Sequence, residues 1–210
     1  MMALTRHLSA ALLAALAACG DAPRFDPLPA ESVVLAFGDS VTYGTGASRG
    51  EDYPARLAAL TGWQVMNAGI PGDTVIEAAA RIADELADTR PALAIIELGG
   101  NDFLRRRSPA AVKEDLREII VAVREAQAIP VLVGVPEVSV LAAVTGRLGD
   151  SPIYEALADE EGVLLIDGVF AGVLSDSALR ADRIHPNAAG YRVLAEGIAD
   201  ELARAGLLIR

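Results

Sequence analysis

The sequence predicts an α/β fold, a parallel sheet with helices on both faces. Short apolar runs alternate with amphipathic helical stretches about five times, and the apolar runs end in turns rich in glycine, proline and polar residues. At 210 residues, with 52% apolar and 22% charged side chains, the chain has the length and composition of one globular domain.

The strands are expected at Val33–Phe37, Gln64–Ala68, Leu93–Leu98, Val131–Val135 and Val163–Ile166. Between them, Asp52 caps a helix with Pro54 near its first position. Thr74-x-x-Glu77 forms a capping box, followed by Ile76, Ala79, Ile82, Ala83 and Leu86 on one helical face. Ser108-Pro109 opens the most regular helix, with Val112, Leu116, Ile119, Ile120 and Val123 as its buried stripe. Residues Ile153–Glu161 form another helix, and Pro186 opens the last, carrying Leu194, Ile198 and Leu202. Residues 138–150 lack a clear period and are expected beside the site as a loop or short helix.

The net charge of −11 opposes binding to nucleic acid or to anionic lipid surfaces. The single cysteine excludes an intrachain disulfide, and no CxxC or HExxH motif suggests a metal. Only two histidines occur, His7 and His185.

Residues 1–18 combine Arg6 with an uncharged Leu/Ala-rich stretch, the pattern of a cleavable export signal too short to span a bilayer as a mature helix. Residues 19–31, rich in Gly, Asp and Pro, are expected to tether it to a domain over 32–210. Removal of the signal takes His7 with it and leaves His185 as the sole imidazole.

In a parallel sheet functional groups gather at the carboxyl ends of the strands. Those ends carry Gly38-Asp39-Ser40, then Gly72-Asp73-Thr74, then Gly99-Gly100-Asn101-Asp102, and before the last helix Asp182-Arg183-Ile184-His185-Pro186. A serine hydroxyl needs a base, and His185 is the neutral-pH base that remains in the mature chain. Pro186 keeps His185 out of the helical region, and Asp182, three residues back, can accept from one ring nitrogen. Asp39 and Asp102 are expected to stabilise their loops, and Arg105–Arg107 to form either a solvated face or a rim that attracts anionic substrates.

These four blocks, in this order, resemble those of the SGNH (GDSL) hydrolase superfamily, and nearest its small periplasmic thioesterase, lysophospholipase and arylesterase branch; Val41 stands where the family has Leu. The resemblance implies a three-layer α/β/α fold of flavodoxin-like topology. It also implies a Ser40–His185–Asp182 triad and an oxyanion hole from the N–H of Ser40, the N–H of Gly72 and the side chain of Asn101. The implied activity is hydrolysis of a small ester or thioester through an acyl-enzyme on Ser40, with water as second substrate and no metal or organic cofactor. Carbohydrate O-deacetylation lies in the same superfamily. A non-catalytic envelope-binding lipoprotein would carry damaged blocks, and a receiver-type phosphotransfer domain would need an acidic cluster and a lysine at the sheet end; Lys113, inside a helix, is the only lysine. Leu16-Ala17-Ala18-Cys19 resembles a bacterial lipobox, which implies lipidation of Cys19 and membrane attachment in the periplasm. Ala15-Leu16-Ala17 equally fits ordinary signal cleavage and a soluble exported protein.

Overall fold

The computed structural model describes residues 25–137 and 147–209. The expected signal, Cys19 and the segment 138–146 lie outside the described residues. Five strands, β1 (Val33–Gly38), β2 (Gln64–Gly69), β3 (Leu93–Glu97), β4 (Ile129–Val133) and β5 (Leu164–Ile166), form one parallel sheet in the order β2-β1-β3-β4-β5. The central strands are almost wholly buried because helices cover both faces, which is why they read as continuous apolar runs. β2 lies at the edge and is largely exposed.

The helices are α1 (Ser40–Tyr43), α2 (Tyr53–Thr61), α3 (Val75–Ala79), α4 (Ile82–Thr89), α5 (Gly100–Leu104), α6 (Pro109–Glu125), α7 (Pro152–Glu161), α8 (Val169–Ser175) and α9 (Ala188–Arg204). The expected stripe of α6 is buried residue for residue. Asp52 caps α2 by accepting from the Ala55 N–H at 2.9 Å.

Four expectations are corrected. The helix expected from Thr74 through Leu86 is broken at Ala80–Arg81, and Ile76 faces solvent. Arg81 turns inward at the break, bonded to Asp73 (2.8 Å) and the Gly38 carbonyl (3.1 Å), with its guanidinium 4.3 Å from the centre of the Phe37 ring. That cluster outweighs the helical period. β4 begins and ends two residues earlier than its apolar run suggests, because register with Leu93–Ile96 sets the strand. The last helix starts at Ala188 with Asn187 as its cap; Pro186 instead bridges to Arg180. From Phe25 onward, the segment expected as a tether lies against the domain. Phe25 N–H donates to Ala205 O (3.0 Å) and Leu28 N–H to Leu207 O (2.9 Å), and both side chains pack on the core.

The register levels three strand ends. Gly38 stands opposite Gly69 on β2 and Glu97 on β3. Chain order reverses between β1 and β3, so the loops after these strands flank a topological switch point.

Candidate active site

β1 delivers the chain to Ser40 through a single residue, Asp39. The buried Asp39 carboxylate accepts from Val41 N–H at 3.0 Å and so caps α1, fixing the turn that presents Ser40 at the carboxyl end of the sheet. The last sequence block closes on it from far away in the chain. Ser40 Oγ lies 2.9 Å from His185 Nε2, and His185 Nδ1 lies 2.8 Å from Asp182 Oδ2. The other carboxylate oxygen of Asp182 accepts from the N–H groups of Ile184 (2.8 Å) and His185 (2.9 Å). An ionised carboxylate only accepts, so the imidazole proton belongs on Nδ1. Nε2 is then left to accept from the Ser40 hydroxyl.

Burial would raise the Asp182 carboxyl, but the bonds from the His185 ring and the two backbone N–H groups outweigh it and hold Asp182 below the ordinary aspartate range. Asp39 goes the other way. Burial pushes it up to about 6 against the opposing pull of the Val41 N–H and the His185 charge.

The third block enters through α5. Asn101 Nδ2 donates to Asp39 Oδ2 and to the Asp73 carbonyl, both at 2.9 Å, which ties the first three blocks together. Both amide hydrogens of Asn101 are therefore engaged. Gly72, at φ +91°, sits in the turn whose Asp73 carbonyl takes one of these bonds, and its own carbonyl accepts from Arg105 at 3.0 Å. Ser40, Asn101 and His185 line a common cavity of about 650 Å³; Gly72 and Asp182 are not part of its wall. Leu104, Val135, Pro136, Phe170, Leu174 and Ile184 make much of that wall apolar. Asp102 is fully buried and ties its loop to α3 by accepting from Val75 N–H at 3.0 Å. Among the described residues no group of three or more His, Cys, Asp or Glu side chains could hold a metal ion.

The structure adds a layer that the sequence motifs do not contain. Glu97, at the end of β3, is buried beneath the turn and accepts from the Thr42 hydroxyl at 3.0 Å; that hydroxyl lies 3.0 Å from the Tyr53 hydroxyl. Burial, then the neighbouring Asp39 charge, pushes Glu97 well above the ordinary glutamate range. The only sequence signal for it is an acid closing an otherwise apolar strand.

The chain is 34% identical over 181 residues to the thioesterase 1/protease 1/lysophospholipase L1 of Escherichia coli, a match covering 82% of this chain and 84% of that one. The crystal structure of TesA superposes with a TM-score of 0.71 at 30% identity, covering 81% of this chain and 97% of that one. AlinE4, an SGNH-hydrolase family esterase, superposes with a TM-score of 0.64 at 30% identity, covering 85% and 98%. The model of the GDSL-like lipase/acylhydrolase family matches residues 36–193, a span that runs from β1 through Ser40 and His185 into α9, and the chain belongs to that family.

Proposed function

We propose that the protein is a serine esterase that cleaves acyl esters or thioesters through an acyl-enzyme on Ser40. The observation that carries this reading is the continuous relay from Asp182 through His185 to Ser40, with bonds of 2.8 and 2.9 Å. His185 Nε2 takes the Ser40 proton as Oγ adds to the carbonyl carbon. Collapse of the tetrahedral intermediate expels the alcohol or thiol, which receives that proton from His185. Water, deprotonated by the same nitrogen, then attacks the acyl-enzyme and releases the acid and free Ser40. Asp182 orients the imidazole and stabilises its charged form.

The oxyanion forms beside Ser40. The Ser40 N–H opens α1, where no preceding turn accepts it. The family resemblance adds the backbone N–H of Gly72 as a donor, although Gly72 lies outside the cavity wall. Asn101 contributes by exchanging one present bond, to Asp39 or to Asp73, for the oxyanion. The apolar wall suits a hydrocarbon acyl group, which supports this reading over carbohydrate deacetylation.

The test is turnover of p-nitrophenyl esters of graded acyl length by wild type and Ser40→Ala. Wild type is expected to hydrolyse at least the shorter esters, and the variant to fall to background. Equal rates for the two proteins sink the reading.

The same reading extends to location. An Arg6-bearing apolar leader followed by Cys19 supports export and lipid anchoring in a bacterial envelope. Metabolic labelling with a palmitate analogue is expected to mark wild type and not Cys19→Ser; an unlabelled wild type points to a soluble exported enzyme.

A further inference from the structure

Three arginines follow Leu104, and two of them are fully engaged. Arg105 donates to the Gly72 carbonyl at 3.0 Å and pairs with Glu77 at 3.4 Å. Arg107 pairs with Asp102 and with Asp115, each at 2.6 Å. Arg106 is different. It lines the cavity that holds Ser40 and His185 and is exposed. Its side chain has no hydrogen bond or ion pair among the described residues.

Its backbone is also unusual. Arg106 has φ +57° one residue beyond the last turn of α5, a left-handed position where glycine or asparagine is the ordinary choice. The turn is fixed by Arg106 N–H to Phe103 O (3.0 Å) and Arg107 N–H to Asp102 O (2.9 Å). Among the described residues, the acids of the cavity do not pair with it. Asp39 and Glu97 are buried at its floor, and Glu137 accepts from Ser151 Oγ at 3.0 Å. A cation is thus held against an apolar wall in a protein of net charge −11, whose overall field repels anionic ligands.

We infer that Arg106 is a specificity-determining residue that receives an anionic group, phosphate or carboxylate, carried by the substrate while the apolar wall takes its hydrocarbon part. A guanidinium presents paired donors that match either anion. The inference rests on the hydrolase reading above. The anion can sit on the leaving group or at the far end of the acyl chain, and the two placements are separable by experiment.

The test compares kcat/KM for three esters of equal acyl length: one neutral, one with a phosphate on the leaving alcohol, one with a carboxylate at the acyl terminus. The proteins are wild type, Arg106→Gln, Arg106→Lys and, as a remote surface control, Arg192→Gln. In Arg106→Gln the ratio of one anionic ester to the neutral ester is expected to fall roughly tenfold, chiefly through KM. Arg106→Lys should keep part of the preference, added salt should shrink it, and Arg192→Gln should leave it unchanged. The ester that responds identifies where the anion sits. Wild-type ratios in Arg106→Gln for both anionic esters overturn the inference while leaving Ser40-dependent hydrolysis intact. Failure of wild type on all three esters overturns the hydrolase reading itself.

Discussion

Asp182 illustrates how one side chain fixes a proton's location. One of its oxygens organises the loop backbone and the other faces His185 Nδ1. In Asp182→Asn the loop bonds survive, but an amide facing Nδ1 favours the tautomer with its proton on Nε2, pointed at Ser40. Ester kcat should fall on the order of a thousandfold or more with little change in thermal stability, read by steady-state kinetics beside calorimetry. Asn101→Ala removes a candidate oxyanion donor and should cost roughly 100- to 1,000-fold in kcat. Asp39 makes a pH prediction. Its folded value of about 6 stands above its ordinary 3.8, so its favourable share of stability is complete below the lower value and is lost as pH rises through the upper one. The stability of wild type relative to Asp39→Asn should therefore decline between about pH 4 and pH 6, by up to about 3 kcal/mol in urea unfolding. A gap that stays constant or widens would contradict this account.

At the scale of elements, α9 carries the Asp182–His185 loop into place. A Cβ on Gly190 would lie 1.9 Å from the Leu179 carbonyl and 3.0 Å from Pro186 Cβ, so the segment bearing Asp182 and His185 would have to move. Gly190→Ala should lower both melting temperature and kcat. Gly172, inside α8, has open space at the same test. Gly172→Ala should leave kcat alone and stabilise by about 0.5–1 kcal/mol. Elements with a full period or a turn signature were legible in the sequence: α6 from its stripe, α2 from Asp52 and Pro54, and the strand ends from their glycines. The candidates Ser40 and His185 were legible because the first strand end carries one serine turn and the chain holds only two histidines, of which His7 lies in the expected export signal. Arg81, Glu97 and Thr42 were not, since the contacts that hold them, to the Gly38 carbonyl and the Phe37 ring and between Thr42 and Glu97, join separate elements and leave no local pattern. Likewise Gly99-Gly100 resembles a loop, and only the packing of the third block turns it into the start of α5.

For the whole molecule, the boundary of the folded unit is the testable quantity. Phe25 and Leu28 close over the end of α9 and the chain that follows it, so residues 25–31 belong energetically to the domain. A chain beginning at Ser32 should be less stable than one beginning at Phe25 by about 1–3 kcal/mol, the value of a partly buried Phe and Leu, with kcat retained. The contact of Ser40 with His185 spans 145 residues of sequence. Its supports are equally distant: Tyr191 on α9 reaches back to the Thr45 carbonyl at 2.8 Å. Closing a loop of that length costs more entropy than the nearer pairings of the sheet, so these contacts are expected to follow them. A chain threaded out of a ribosome in order thus presents Ser40 long before His185. On the proposed mechanism it stays chemically silent through synthesis, and hydrolytic competence arrives only with the docking of its last helix.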